Sequence, residues 1–448
     1  MEEETDVTTD RSTREIVLDI LLEVLEEGQL SHLVLKQALE KYQYLEKQDR
    51  AFITRLTEGT LEYLIRIDAV IGRFSKVPVK KMKPVIREIL RMSVYQILFM
   101  ERVPDSAACN EAVKLAKKRR FQGLTGFVNG VLRNVAREKE KLVFEEPSEK
   151  YSIPAWMLSL WEKSYGKERA EQIASAFLTE RPVTVRCNES RCTVSEMKNR
   201  LAAQGIQAED TEFSPAVLSL RGYDYLDAVD EFRDGLLMVQ DPSSALVGLV
   251  ASPKPDSFVL DVCSAPGGKA LHIADLMRGT GLVEARDLTE YKISLVEENI
   301  ERCGFTNVRT RVWDASVFDP DMEEKADLVI ADLPCSGLGI IGKKPDIKFR
   351  LKKEELSELS RLQKEILGVI VRYVKPGGIL IYSTCTINRL ENEDNADWIE
   401  NELKLSKLDL RERLPECLRE ECDGNRIQIL PGFHQADGFF IATFQKVK

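Results

Sequence analysis

The hydrophobic and polar positions divide the chain into three stretches of different period. In the first, Ile16, Val17, Ile20, Leu21, Val24 and Leu25 recur at helical spacing and Gly28 supplies a stop, which predicts a helix with one buried face. The same period returns over 52–71, 85–100, 107–117 and 123–136, punctuated by Pro78, Pro84 and Pro104. Amphipathic helices with short connections predict a compact all-α bundle, bounded at residues 1–145.

The second stretch, 146–232, mixes two periods. Pro147 and the acidic run before it predict a linker. Trp156, Leu160 and Trp161 then follow Pro154 at helical spacing, and β-rich runs at 183–186 and 216–220 flank a helical pattern at 194–204 that stops before Gly205. This predicts a small α+β module.

From 233 to 448 apolar runs alternate with helical patterns. Buried strands are predicted at 258–262, 281–285, 308–312, 327–331 and 378–383. Helices intervene, for instance one carrying Ile293, Val296 and Ile300 and one carrying Leu356, Leu359, Leu362, Ile366 and Ile370. The alternation implies a parallel, doubly wound α/β sheet. Runs at 426–430 and 439–445 around Pro431-Gly432 predict a closing hairpin that adds antiparallel edge strands.

Composition narrows the function classes. A chain of 448 residues exceeds one ordinary core, and 43% hydrophobic with 31% charged residues is typical of a soluble globular protein. No apolar run approaches the roughly 18 residues of a membrane span, and the acidic start Met1-Glu2-Glu3-Glu4-Thr5-Asp6 differs from a basic signal sequence. A cytoplasmic monomer with no membrane partner is expected. Nine cysteines without an export signal are expected to be reduced thiols. Cys187 with Cys192, and Cys417 with Cys422, have zinc-like spacing but lack a His pair, so no metal site is expected.

The net charge of −10 opposes phosphate binding overall. Basic residues nevertheless cluster at Lys80, Lys81 and Lys83, at Lys117 to Arg120, and at Lys343, Lys344, Lys348, Arg350, Lys352 and Lys353. Local fields decide binding, so a basic face on an acidic protein remains a nucleic-acid candidate.

Candidate chemistry gathers at predicted strand ends. Asp332-Leu333-Pro334-Cys335-Ser336-Gly337 follows the 327–331 strand, at the end where open α/β sheets bind ligands. The alternative on these residues alone is a strand-to-loop turn with a capping Asp and a buried structural Cys. After the first strand of the third region comes Cys263-Ser264-Ala265-Pro266-Gly267-Gly268-Lys269, whose glycines allow close backbone approach ahead of a helix N-terminus. Its spacing is neither Gly-x-Gly-x-x-Gly nor a phosphate-binding loop. Asp287 lies about 20 residues on, where a carboxylate accepts from a ribose diol, although it could merely cap the next helix. Asp314, after the third strand, could reach an adenine amino group. A nucleoside cofactor without pyrophosphate, such as S-adenosylmethionine, suits this set best.

Asp261 to Lys269, Asp332 to Gly337, and Ser383-Thr384-Cys385-Thr386 together resemble the RNA cytosine-5 methyltransferases, in particular the bacterial 16S ribosomal RNA methyltransferase B (Fmu/Sun) subfamily. The similarity spans nearly the whole chain. It implies an N-terminal NusB-like RNA-binding bundle, an RRM-like α+β module opening into Val239-Gln240-Asp241-Pro242-Ser243-Ser244, and a Rossmann-like class I methyltransferase domain that closes on Asp437-Gly438-Phe439-Phe440. Residues 263–269 with Asp287, Asp314 and Asp332 would then hold S-adenosylmethionine.

Carbon 5 of cytosine is a poor nucleophile until a thiolate adds to carbon 6, so the reaction requires an activated cysteine. DNA enzymes of this chemistry use a Pro-Cys nucleophile, which would nominate Cys335. The RNA family implies instead that Cys385 attacks, that Cys335 assists release, and that Asp332 and Lys269 act at the base. Lys343, Lys344, Lys348 and Arg350, with Phe349 among them, are expected to contact small-subunit ribosomal RNA. Competing readings are an enzyme for another RNA, a non-catalytic NusB-like factor, and an amino-directed methyltransferase; the last normally carries Asn/Asp-Pro-Pro-aromatic where this chain has Asp332-Leu333-Pro334-Cys335.

Overall fold

The computed structural model describes residues 11–447, which fall into two compact units. The first comprises 11–178 together with Ile341–Leu351. Its helices Thr13–Leu25, Ser31–Lys41, Lys47–Glu62, Leu64–Phe74, Pro84–Phe99, Asp105–Lys118 and Thr125–Glu138 enclose one core that includes Val17, Leu21, Leu56, Ile89 and Leu132. Ser12 caps the first helix by accepting from Glu15 N, and Pro84 occupies the first turn of its helix, where a missing N–H costs nothing. The continuous pattern over 52–71 is divided at Tyr63, whose backbone leaves the helical region (φ −98°, ψ 13°).

The acidic stretch before Pro147 is no free linker. Pro147 starts a short helix, Pro147–Tyr151, and Ser152 Oγ accepts from Ile65 N at 3.1 Å. The helices Ala155–Tyr165 and Lys167–Ala176 belong to the same unit. So does the basic segment after the Asp332 motif. There Lys348 Nζ is buried and donates to the carbonyls of Glu62 and Ser152 at 2.6 and 3.1 Å, and Ser31 Oγ donates to Asp346 at 2.5 Å. The expected RNA contact at Lys348 thus falls on a side chain whose head group is already enclosed by two carbonyls.

The second unit comprises residues 179–340 and 352–447. Its smaller sheet has four antiparallel strands, β1 (Val183–Cys187), β2 (Gln207–Asp210), β3 (Val217–Arg221) and β4 (Leu237–Val239), in the order β2-β3-β1-β4. The helix Val194–Ala203 carries a full capping box from Thr193 and Glu196. β2 is polar and largely exposed and β4 has three residues, so neither carries a period-2 signal. Arg186 is fully buried; it donates to Gln240 and to Asp275, and Asp275 also accepts from the Glu189 and Ser190 amides. Asp275 lies on the helix Gly268–Leu276, so this charge pair fastens the small sheet to the helix that begins at the glycine loop.

The larger sheet contains β5 (Phe258–Asp261), β6 (Leu282–Asp287), β7 (Val308–Val312), β8 (Ala326–Asp332), β9 (Val374–Thr384), β10 (Ser406–Lys407), β11 (Arg426–Ile429) and β12 (Phe439–Gln445). Its order is β10-β12-β9-β8-β5-β6-β7, with β11 on β12. Strands β9 through β7 run parallel, and β12 joins antiparallel to β9. Two details differ from the pattern. β9 begins before Pro376-Gly377-Gly378, because the strand bulges there against Asp327 and resumes its register at Ile379. β12 is an interior strand, since the short β10 covers its far edge.

Candidate active site

Register builds the reaction end of the sheet. Asp332 on β8 is level with Ser383 on β9, so the Asp332 motif and the Ser383-Thr384-Cys385 motif leave adjacent parallel strands side by side. Cys335 Sγ and Cys385 Sγ consequently lie 3.4 Å apart, both half-buried. The hydrogen bond to Cys385 and burial push the Cys335 thiol well above its usual range, so Cys335 holds its proton.

Lys269, in the first turn of Gly268–Leu276, reaches Asp332 Oδ2 at 2.7 Å, and Ser383 Oγ donates to Asp332 Oδ1 at 2.9 Å. Burial works against the Lys269 ammonium, but Asp332 outweighs it and raises its pKa. Lys269 Nζ also stands 5.3 Å from the Phe439 ring centroid. Two thiols, a carboxylate and an ammonium thus converge from three sheet ends.

The cofactor loop is shaped by its backbone. Gly267 lies at φ +101°, a conformation that favours glycine, and serves as N-cap of the helix bearing Lys269. Ala265 N donates to Asp287 Oδ2 at 3.0 Å, while Asp287 Oδ1 accepts from Leu288 N and pairs with Lys292. Asp261 Oδ2 and Ser264 Oγ are buried without a protein partner of normal geometry. Burial, with Asp332 adding to it, pushes the Asp261 carboxyl up to about 7. Burial likewise pushes the Cys263 thiol far up, which makes it inert packing in the loop rather than a nucleophile. Unfilled polar atoms beside a glycine turn fit the polar amino-acid end of S-adenosylmethionine, and Asp287 at the end of β6 fits its ribose. Asp314 is exposed after β7 and folds into a turn, accepting from Ser316 N and Oγ.

Several supporting residues gave no signal in the sequence pattern. A Cβ on Gly339 would stand 2.1 Å from the Gly438 carbonyl oxygen, which explains why glycine meets glycine where the two loops cross. Gly339 N donates to Cys385 O at 3.1 Å and Gly438 N to Gly339 O at 2.9 Å. Ser383 was visible only as a neighbour of Cys385, and its bond to Asp332 depends on strand register. Of the basic segment in the first unit, Lys343 is exposed, Lys344 half-buried, and Arg350 paired with Asp346 at 3.3 Å. No cluster of metal-ligating side chains and no helix long and apolar enough to cross a membrane occurs among the described residues.

Three family descriptions match successive parts of the chain: NusB family over residues 11–137, the RsmF/B-like ferredoxin-like domain over 153–223, and 16S rRNA methyltransferase RsmB/F over 248–445. The Bacillus subtilis protein named Probable ribosomal RNA small subunit methyltransferase B is 37% identical over 445 residues, covering 97% of this chain and 99% of that protein. A Synechocystis protein of the same name is 31% identical, with 97% and 99% covered. The crystal structure of PH0851 superposes with a TM-score of 0.81 at 26% identity, covering 96% of this chain and 98% of the other.

Proposed function

We propose that this chain, which belongs to the 16S rRNA methyltransferase RsmB/F family, methylates carbon 5 of a cytosine in small-subunit ribosomal RNA through a covalent cysteine adduct. The observation that carries the reading is the pair of thiols 3.4 Å apart beside the Lys269–Asp332 pair. The attacking role goes to Cys385 because it stands in Ser383-Thr384-Cys385-Thr386, the motif that resembles the one carrying the nucleophile in the RNA cytosine-5 methyltransferases.

In this scheme the Cys385 thiolate adds to carbon 6 of an unstacked cytosine, and the ring electrons move to carbon 5. Lys269 and Asp332 meet the polar edge of the base and stabilise the charge that develops on the ring. S-Adenosylmethionine, when bound, would supply an electrophilic methyl group to carbon 5, its S–CH3 bond breaking to leave S-adenosylhomocysteine. Loss of the carbon 5 proton to a base then restores the double bond as the Cys385 sulfur leaves, with Cys335 assisting that elimination. The exposed Lys343, with Lys344 and Arg350, supports phosphate contact by the target RNA.

The test is bisulfite sequencing of 16S rRNA from cells that carry the wild-type, Cys385→Ala or Cys335→Ala protein. Cys385→Ala is expected to abolish the modification, and Cys335→Ala to leave a protein–RNA adduct that survives denaturing electrophoresis. An adduct that persists in Cys385→Ala would reverse the two roles.

A further inference from the structure

Outside the reacting atoms, Glu391 has the most unusual environment of the second unit. It is fully buried, and every hydrogen bond its carboxylate makes is donated to it. Ser336 N and Gln363 Nε2 reach Oε2 at 2.9 and 3.1 Å; Ser336 Oγ and Asn388 Nδ2 reach Oε1 at 2.5 and 2.9 Å. No Lys or Arg pairs with it among the described residues. Burial pushes the carboxyl up, and the four donors oppose that rise. A buried carboxylate without a counter-charge is expensive, and four donors are the arrangement that an acceptor-only, ionised group requires.

The donors connect the two cysteine loops. Ser336 directly follows Cys335, and its hydroxyl also lies 2.7 Å from Thr386 Oγ1, which directly follows Cys385. On the other side of Cys335, Gln363 Nε2 donates to Pro334 O at 2.9 Å as well as to Glu391. One carboxylate thus fixes the backbone after Cys335 and, through a hydroxyl pair, the residue after Cys385. Nothing here touches the site of the base directly.

We propose that Glu391 is a positioning residue that clamps the two cysteine loops and so holds Cys335 Sγ at the distance from Cys385 Sγ that release of the adduct needs. The proposal rests on the two-cysteine reading above. Attack by Cys385 requires only that its own loop be in place, whereas elimination requires both sulfurs, so the clamp acts on release more than on attack. A misplacement of about 1 Å can change a rate by about 100-fold.

Glu391→Gln keeps the shape but turns an N–H group toward two of the four donors. Two readouts test it. In single-turnover reactions with 16S rRNA, adduct release is expected to slow by about tenfold or more while adduct formation changes by less than about threefold. Without RNA, phenylarsine oxide reads sulfur spacing: its trivalent arsenic bonds both thiols and releases one water. Its affinity above a Cys335→Ala background is expected to fall at least about fivefold in the Glu391→Gln protein. Unchanged arsenical affinity, or equal slowing of formation and release, overturns the proposal. Ser336→Ala, which removes the hydroxyl link but keeps the amide, serves if Glu391→Gln does not fold. It should show the same split to a smaller extent, and its absence there would likewise overturn the clamp. Failure of the two-cysteine reading is separable, because it would appear as an adduct independent of Cys385 while the arsenical still reads the clamp.

Discussion

Lys269 in the second unit and Lys348 in the first are both enclosed, and the two are stabilised in opposite ways. Lys269 in the second unit faces Asp332 at 2.7 Å and Phe439, and its pKa is raised despite burial. Lys348 in the first unit has two carbonyl oxygens as hydrogen-bond partners; burial pulls its pKa down to about 7, with only Glu62 resisting. A cation out of water keeps its proton only when a formal negative charge lies close. Two N–H donors and two carbonyls also match a neutral amine, so Lys348 is satisfied in the form that burial favours. The first lysine is therefore equipped for electrostatic work on a substrate, and the second for holding chain segments together.

The sharpest way to break this contrast is to remove each lysine head group in turn. Lys269→Met is expected to lower the single-turnover methylation rate by about 10²- to 10⁴-fold, since it removes a positioned charge and leaves Asp332 without its cation. Lys348→Met should stay within about threefold of wild type, because its head group faces carbonyls rather than the reaction. Equal losses in the two proteins would dissolve the distinction.

The second test separates them by pH. A lysine whose folded pKa lies near 7 binds fewer protons in the folded than in the unfolded chain between pH 7 and its unfolded value of 10.5. Its penalty is complete below pH 7 and is relieved as pH rises toward 10.5. Urea melts should therefore show wild type gaining stability relative to Lys348→Met from pH 7 to pH 10. Lys269 has the opposite sign: its raised pKa contributes stability that is fully present below 10.5 and is lost as pH rises from there through its folded value, so the same comparison with Lys269→Met should be flat over that window. A flat difference for Lys348→Met would mean that its amine stays charged in the fold.

The contrast also marks what the sequence could and could not reveal. The alternation of strand and helix, the Gly267-Gly268 turn and the cysteines after β8 and β9 were legible, because strand period and turn chemistry are local properties. Asp287 and Asp332 could be placed because each lies at the carboxyl end of a strand. Lys348 could not be told from Lys343, since both lie in one basic run and only contacts with Glu62 and Ser152, distant in sequence, bury one of them. Glu391 was equally hidden: it sits among Arg389, Asn392, Glu393 and Asp394, a charged run that reads as solvated surface, yet it is fully buried. Partners contributed by residues far apart in the chain leave no period to read. Pro147 misled for a related reason, as proline opens a helix as readily as it marks a linker.

The smallest expected effect lies within the basic segment itself. Lys343 is exposed, so in the proposed role it contributes one screened phosphate contact, and each such contact adds about 0.7 to the slope of log affinity against log salt for single-stranded RNA. Lys343→Gln should reduce that slope by about 0.7 and weaken binding evenly across RNA sequences, because a phosphate carries no base information. Lys348→Met, five residues along the same segment, should leave the slope unchanged, since an enclosed amine releases no counterions from RNA. Filter-binding titrations over a range of potassium chloride concentrations measure both. A slope that falls equally in the two variants would return Lys348 to the RNA surface and contradict its burial as the reason for its lowered pKa.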